Sequence, residues 1–355
     1  MRALATLLLA ALFPLICHAQ PQVKPLIRIA SFNTELSRKG PGLLLRDLRR
    51  GEDPQITAIL DSLSAAEADI LLLQGIDWDH DGHAIAELRD QLDKRLPRYD
   101  HIYAPRPNSG VHTGLDMDGD GEPSTARDAQ GYGRFTGQGG LALLSRFPIL
   151  HAKARDLSDL LWWDLPGAIL PAHPDGRPFP SPQALAIQRL PSTGHWIVPI
   201  LLPDGSELSV LTFQATPPLF DGPEGRNALR NRDEIRLWQV LLDGRLGPVP
   251  AEPWVIAGGA NLDPDRGAGY RQAIADLLRD PRLQDPRPVD QTGGAETVNW
   301  GRSGRMRVDY ILPSQSAQVV ASGLIWTEDI ADRYSGSERP ASRHALVWTD
   351  LQIQN

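Results

Sequence analysis

Four polar residues stand at points where apolar segments of the sequence end. Asn33 follows RIASF, Asn261 follows WVIAGGA, Asp309 lies in RMRVDYILPS, and His344 lies in ASRHALVWTDL. A site for a metal ion and a phosphate needs oxygen ligands, an amide, and a histidine oriented by a carboxylate. These residues offer that set, although each alone is also typical of a turn or a strand end.

A second candidate site is the acidic segment DMDGDG at 116–121. Asp116, Asp118 and Asp120 alternate and a glycine follows, which matches the first six positions of a calcium-binding loop. The twelfth position is Arg127 rather than Glu, so the full EF-hand pattern is not met. We expect this segment either to bind Ca²⁺ or to form a solvated Asp-Gly turn.

The elements that must position these residues alternate between strands and helices. We predict strands at 26–33, 70–73, 141–144, 195–202, 208–213, 253–257, 306–312 and 344–351. We predict helices within 40–68, at 83–96 and at 226–243, with long irregular segments at 105–139 and 164–182. This alternation indicates an α/β or mixed α+β fold in one domain, from 26 to 355.

The predicted helix at 226–243 begins with several charged residues. Arg226 and Arg230 share one face, and Arg230 and Glu234 form an i,i+4 pair. We expect a solvated charged face here rather than a clamp for a substrate.

The charge of the chain limits the partners that it can bind. Its 36 Lys and Arg against 44 Asp and Glu give a formal net charge of −8. Net charge therefore cannot provide non-specific electrostatic binding to nucleic acid. Any phosphate binding must come from a local patch of positive charge. This charge favours a small or lipid-derived phosphate over long duplex DNA, and we expect a monomer.

Residues 1–19 have the pattern of a signal peptide. Arg2 precedes an apolar run from Ala3 to Ile16, and small residues stand at the −3 and −1 positions of a cut after Ala19. The run is shorter than the roughly 20 residues that a membrane-spanning helix needs, so we expect cleavage. No later segment is apolar enough to span a bilayer. We therefore expect residues 20–25 to form a short tether on a soluble protein that is periplasmic or secreted.

Taken together and in this order, the strand-end segments resemble the endonuclease/exonuclease/phosphatase superfamily, which includes deoxyribonucleases, abasic-site endonucleases and bacterial sphingomyelinases. IASFNTEL resembles the first-strand motif of the family, DILLLQGID the second, and GQGGLALLSRFPI a segment in mid-chain. WVIAGGANLDP resembles the Gly-Asp-x-Asn motif, and RVDYILPS and SRHALVWTDL resemble the closing Asp-Tyr and Ser-Asp-His strands. The resemblance covers residues 27–351 and implies a four-layer α/β/β/α sandwich.

The resemblance also implies a metal-dependent phosphoesterase that uses Mg²⁺ or Mn²⁺ and attacks its ester with water. It places Asn33 at the metal and the phosphate, and Glu35 where some members have a second ligand carboxylate. It places Asn261 at the attacking water or the phosphate, and His344, paired with Asp309, at the transition state.

Four positions depart from the family pattern. Gly75 stands where the family has a metal-binding Glu, and Gln214 stands where it has a central His. Gly259 replaces the Asp of Gly-Asp-x-Asn, and Arg343 replaces the Asp of Ser-Asp-His. An arginine binds phosphate well and repels a metal ion. Loss of the His and of the water-positioning Asp should cost several powers of ten, since general acid–base catalysis alone contributes about 10²–10⁴.

Compensation would have to come from other carboxylates. Asp77 lies two residues after Gly75, and side chains two apart on a strand point the same way. Glu35 is the second candidate for a larger share of the metal. The alternative is that Asp77 belongs to a solvated acidic turn in IDWDHDGH.

Three functions therefore stay open at this point. An exported phosphoesterase predicts ion-dependent turnover that is lost in Asn261→Ala or His344→Ala. A module that binds a phosphate-bearing ligand through Arg343 and Asn261 predicts binding without turnover. A calcium-stabilised module that binds another protein predicts neither, with a stability that depends on calcium.

Overall fold

The computed structural model describes residues 26–330 and 341–353, so the predicted signal peptide and tether lie outside the described residues. The described residues form seven α-helices and thirteen strands. The helices are α1 (Leu43–Arg50), α2 (Pro54–Ala66), α3 (His83–Leu92), α4 (Pro182–Ile187), α5 (Arg226–Leu242), α6 (Gln272–Leu278) and α7 (Thr327–Ile330). The strands are β1 (Leu26–Asn33), β2 (Ile70–Ile76), β3 (His101–Tyr103), β4 (Gly140–Ser145), β5 (Arg155–Asp156), β6 (His195–Leu201), β7 (Glu207–Gln214), β8 (Trp254–Gly259), β9 (Val298–Asn299), β10 (Arg305–Met306), β11 (Asp309–Pro313), β12 (Ala317–Ile325) and β13 (Leu346–Ile353).

Two large sheets form the centre of the molecule. The six-stranded sheet has the order β12-β13-β1-β2-β4-β3, and the five-stranded sheet has the order β11-β8-β7-β6-β5. β1 runs parallel to β2, and β7 runs parallel to β8, while the other neighbours in both sheets are antiparallel. The helices α1 and α2 connect the first parallel pair and α5 connects the second, because parallel strands require a long crossover.

Three apolar cores separate the layers. Leu71 and Phe32 pack in the core that lies under α1, α2 and α3. Leu72 packs between the two sheets, so successive residues of β2 face different cores and the strand is apolar throughout. Trp238 of α5 packs in the third core, with α6, on the outer face of the five-stranded sheet. The predicted α/β/β/α sandwich in a single domain is thus confirmed.

Most predicted elements are present, with ends that differ by a few residues. The helix predicted at 83–96 ends at Leu92, and the strand predicted at 306–312 begins at Asp309. β12 was not predicted, because as the outermost strand of its sheet it has several half-buried and exposed residues and no clear apolar pattern. The segment 105–139 contains neither helix nor named strand. Among the described residues, no helix has the length and apolar character to cross a membrane.

Candidate functional site

Polar strand ends from both sheets meet at one edge of the sandwich. Asn33 ends β1, opposite Gln74 of the parallel strand β2. In the second sheet Asp309 begins β11 opposite Gly259, the last residue of β8. β1 packs against β8 and β11 across the central core, which brings the two sets of ends together. His344 precedes β13 and completes this edge.

Asp309 and His344 form a buried pair at this edge. His344 Nδ1 lies 2.7 Å from Asp309 Oδ2, and each side chain is at most 2% exposed. Thr297 Oγ1 also donates to Asp309 Oδ2, at 3.1 Å, so the carboxylate is held from two sides. The other ring nitrogen, Nε2, lies 3.4 Å from Asn33 Nδ2. The structure thus brings together three of the residues predicted for the site, and Asp309 fixes the orientation of the imidazole.

Glu35 and Arg343 form an ion pair beside this histidine. Glu35 Oε2 accepts from the Arg343 backbone N–H at 2.8 Å, and Oε1 accepts from Nε at 2.8 Å and from Nη2. Burial acts to raise the pKa of Glu35, but the hydrogen bonds and charge of Arg343 outweigh it and hold that pKa below its ordinary value. The Arg343 guanidinium also lies 4.6 Å from the ring centroid of Trp300, and the planes of the Trp300 and His344 rings are nearly perpendicular.

Glycines at this edge leave little room for the carboxylates that the resemblance implied. Gly75 has a φ of +65°, and a Cβ there would lie 2.5 Å from Asn33 Oδ1 and 3.2 Å from the backbone nitrogen of Glu35. A Cβ at Gly259 would lie 2.5 Å from Gln74 Oε1. A side chain at position 75 is therefore disfavoured by backbone and space together, and one at position 259 requires Gln74 to move.

Asn261 is held by a second set of contacts. Its φ is +50°, and its Nδ2 donates to the backbone oxygen of Ala215 at 2.7 Å. Asn231 of α5 donates from Nδ2 to the backbone oxygens of Thr216 and Ala260, both at 2.7 Å. One helix amide thus ties the loop that follows β7 to the loop that follows β8, and so positions Asn261.

The charged residues of α5 are buried, so the predicted solvated face is wrong. Arg230 donates to four backbone oxygens, those of Gln130, Arg189, Leu190 and Pro191. Glu234 accepts from the Thr216 N–H at 2.7 Å and from Ser192 Oγ at 2.7 Å. Burial raises the pKa of Glu234 to about 7 and, in the opposite sense, lowers that of Arg230 to about 10. Charged residues on a helix are usually exposed, and no sequence pattern indicated that loop backbone would satisfy these two.

Asp77 does not join Asn33 and Glu35. Its Oδ2 accepts from the Arg38 N–H at 2.8 Å, and its Oδ1 accepts from the Gly139 N–H at 3.0 Å. Burial raises the pKa of this carboxyl despite those hydrogen bonds. Asp77 therefore connects the loop after β1 to the end of the long segment 105–139.

The carboxylates of Asp116, Asp118 and Asp120 converge elsewhere in that long segment. They offer oxygens within 4.8 Å of one another and are the one group of three or more acidic, His or Cys side chains close enough for a metal among the described residues. Asp116 also accepts from the backbone N–H groups of Gly119 and Gly121, at 2.6 and 2.9 Å. An acidic cluster is thus present, and the binding of Ca²⁺ by these carboxylates stays a prediction.

Comparison with known proteins decides the family. The model of the Endonuclease/Exonuclease/phosphatase family matches residues 30–344. The chain belongs to this family. No curated protein sequence matches it.

Solved structures of family members have the same fold. An endonuclease/exonuclease/phosphatase from Beutenbergia cavernae is 18% identical with a TM-score of 0.53, covering 93% of this chain and 72% of that one. A family protein from Leptotrichia buccalis is 14% identical with a TM-score of 0.53, covering 92% and 100% of the two chains. A third, from Bacteroides thetaiotaomicron, is 14% identical with a TM-score of 0.50, covering 94% and 99%. At these identities the likeness concerns the fold alone.

The residues at this edge do not fit the Mg²⁺ or Mn²⁺ that the family resemblance implied. Such an ion needs carboxylate oxygens that are free to coordinate it. Both oxygens of Glu35 are bonded to Arg343, and both oxygens of Asp77 accept from backbone N–H groups. Position 75 offers no side chain, and Arg343 brings a positive charge.

The sequence missed the residues that support the site. Thr297, the residue before β9, donates to Asp309 from the start of a hairpin too short to be predicted. Asn231 was passed over because a single Asn within a helix has no distinctive pattern. The departures from the family motifs at Gly75, Gly259 and Arg343 pointed in advance to the change at this edge.

Proposed function

We propose that this protein binds a phosphate-bearing ligand at the edge formed by Asn33, His344 and Arg343, without hydrolysing it. The observation that carries this proposal is the grouping of an amide, an imidazole and a guanidinium at one edge, while the neighbouring carboxylates are bonded within the protein. Hydrogen-bond donors with a fixed positive charge are the groups that recognise phosphate.

His344 suits this role because Asp309 fixes its ring. With Nδ1–H donating to Asp309, neutral His344 accepts at Nε2 from the amide of Asn33. Because Asp309 fixes the ring through Nδ1, the second ring nitrogen, Nε2, has a defined position beside Asn33. The Arg343 side chain is 52% exposed, so its guanidinium is accessible to a ligand.

Hydrolysis lacks support because the groups that would activate water are absent. Gly259 has no carboxylate to orient a water, and Gln214, opposite it on β7, cannot shuttle a proton near neutral pH. General acid–base groups contribute about 10²–10⁴ to a rate, so their loss outweighs the retained His344 and Asp309.

The ligand is proposed to be small and to be met outside the cytoplasm. The net charge of −8 disfavours a long nucleic acid. The signal-peptide pattern at residues 1–19 supports an exported, periplasmic or secreted protein.

Calorimetric titration of the purified mature protein with inorganic phosphate and with bis-p-nitrophenyl phosphate tests the proposal. We expect binding that is unchanged by a chelator, and Arg343→Gln should weaken it about tenfold or more. Arg98→Gln is the matched control, because Arg98 is an exposed arginine paired with Asp100 at the opposite end of the sheet. Release of p-nitrophenol that requires Mg²⁺ or Mn²⁺ and disappears in His344→Ala would instead establish a phosphoesterase.

A further inference from the structure

The ion pair at this edge joins Glu35, where the family resemblance places a metal-ligand carboxylate, to Arg343, which replaces the Asp of the Ser-Asp-His motif. We propose that Arg343 is a resident cation, which takes the place of a divalent ion and keeps such ions away from His344. The proposal rests on the proposed function only in assigning the ligand to the same edge. The proposal concerns a different property, which is whether the positive charge at this edge comes from a protein side chain or from an exchangeable metal ion.

Arg343 engages both carboxylate oxygens of Glu35, the atoms that a metal ion would use. One carboxylate oxygen accepts from the arginine backbone and the other accepts from two guanidinium nitrogens. A bidentate contact that includes a backbone N–H has a defined geometry, unlike most surface ion pairs. The Glu35 side chain is 23% exposed, so solvent screens this pair only in part.

Trp300 holds the guanidinium from its other side. The guanidinium carbon lies 4.6 Å from the centroid of the indole ring. The same indole meets the His344 ring edge-on, with centroids 5.3 Å apart. The positive charge of Arg343 is thus fixed between Glu35 and Trp300, next to the imidazole, by a contact typical of arginine rather than of lysine.

The backbone of Glu35 adapts to this arrangement. Glu35 has a φ of +50°, which is uncommon for a residue other than glycine. Its N–H faces Asn33 Oδ1 at 3.3 Å, so the amide oxygen that could have served a metal is directed to the backbone. Arg343 balances the negative charge of Glu35, and position 75 has no side chain. The negative charge beside Asn33 that would attract Mg²⁺ or Mn²⁺ is therefore lost.

Paramagnetic broadening by Mn²⁺ of the ¹H–¹⁵N signals of the His344 ring tests this proposal. All proteins carry Asp118→Asn and Asp120→Asn, so that the acidic cluster at 116–121 does not compete for the ion. In this background we expect no selective broadening of His344 up to about 1 mM Mn²⁺, the range of weak calcium sites. The ring signals are assigned by their loss in His344→Asn.

Arg343→Asp should make His344 sensitive to Mn²⁺ at concentrations at least about tenfold lower. Adding Glu35→Gln should abolish that sensitivity. Arg98→Asp, which makes the same charge change at the far end of the sheet, should leave His344 unaffected. If Arg343→Asp does not fold, as judged by circular dichroism, Arg343→Gln frees Glu35 with a smaller change and should show the same direction.

The proposal is overturned if His344 broadens equally with Arg343 present, or if a folded Arg343 variant stays insensitive to Mn²⁺. Phosphate titrations of the same samples separate this result from the proposed function. If His344 becomes sensitive to Mn²⁺ only when Arg343 is removed, while no sample binds phosphate, the role of Arg343 as a resident cation is supported and phosphate binding is rejected. If the protein binds phosphate without a metal ion but its His344 signals already broaden with Mn²⁺ while Arg343 is present, phosphate binding is supported and the resident cation is rejected.

Discussion

Glu234 should make the protein less stable as the pH rises from weakly acidic to alkaline values. Its side chain is fully buried, and burial raises its pKa from 4.5 to about 7. A carboxyl group with a raised pKa in the folded state contributes stability that is complete below pH 4.5 and is lost as the pH rises through 7. Each pKa unit corresponds to about 1.4 kcal/mol, so the loss amounts to about 3 kcal/mol.

His195 should have the opposite effect, because burial lowers its pKa from 6.5 to about 4. Its contribution is complete above pH 6.5 and is lost as the pH falls through 4. The imidazole stacks on Trp238 and its Nε2 lies 3.0 Å from the backbone oxygen of Glu234, so the two groups share one core. Arg230, with a pKa of about 10, stays charged over this range.

Urea unfolding of Glu234→Gln, of His195→Gln and of the unmodified protein, followed by tryptophan fluorescence from pH 4 to 8, measures both effects. The glutamine accepts fewer of the hydrogen bonds from Ser192 and Thr216, which costs stability equally at every pH. The stability of the variant relative to the unmodified protein should therefore improve by about 3 kcal/mol between pH 4.5 and 8. The stability of His195→Gln relative to the unmodified protein should improve by about 3 kcal/mol as the pH falls from 6.5 to 4. Differences that are constant with pH would refute the reasoning.

Three further changes test the backbone and the supports of the site. Gly75→Ala should cost about 1–2 kcal/mol more in urea unfolding than Gly114→Ala, because both glycines have positive φ but only Gly75 has atoms close to a new Cβ. Gly259→Ala should cost less than Gly75→Ala in the same measurement, because its φ is not positive and the nearest atoms to a new Cβ belong to the side chains of Gln74 and Asp309. Asn231→Leu should cost about 2–4 kcal/mol, since it leaves two loop carbonyls without their donor. Faster hydrogen exchange confined to the loops after β7 and β8 would show that the loss is local, and uniform exchange would contradict the role of Asn231.

Much of the fold was predictable because burial is recorded directly in the sequence. The continuous apolar run of β2 follows from its position between two cores, and α2 begins where Asp53 caps the helix and Pro54 starts it. β12 escaped prediction because an edge strand with one partly exposed face shows no such run. The family resemblance and the sandwich are both confirmed, since the order of motifs depends on these same strands.

The site was predictable only as far as strand ends could be placed. Asp309 and His344 meet because β11 begins at Asp309, His344 precedes β13, and these strand ends lie at the same edge. The partner of Glu35 depends on a left-handed turn and on a segment 308 residues away, and neither has a local signal. The burial of Arg230 was hidden for the same reason, because four loop carbonyls from distant segments satisfy it.

Two of the four departures from the family pattern, at positions 75 and 343, are best understood as one coupled change rather than as independent losses. Without a carboxylate at position 75, Glu35 is the acidic group beside Asn33. Arg343 balances its negative charge by forming an ion pair with it. Restoring Asp at 343 alone should restore affinity for a divalent ion but not turnover, because Gly259 and Gln214 still provide no group to activate water. Turnover gained by Arg343→Asp alone would mean that another group at this edge can activate water, and the assignment of a binding function would then fail.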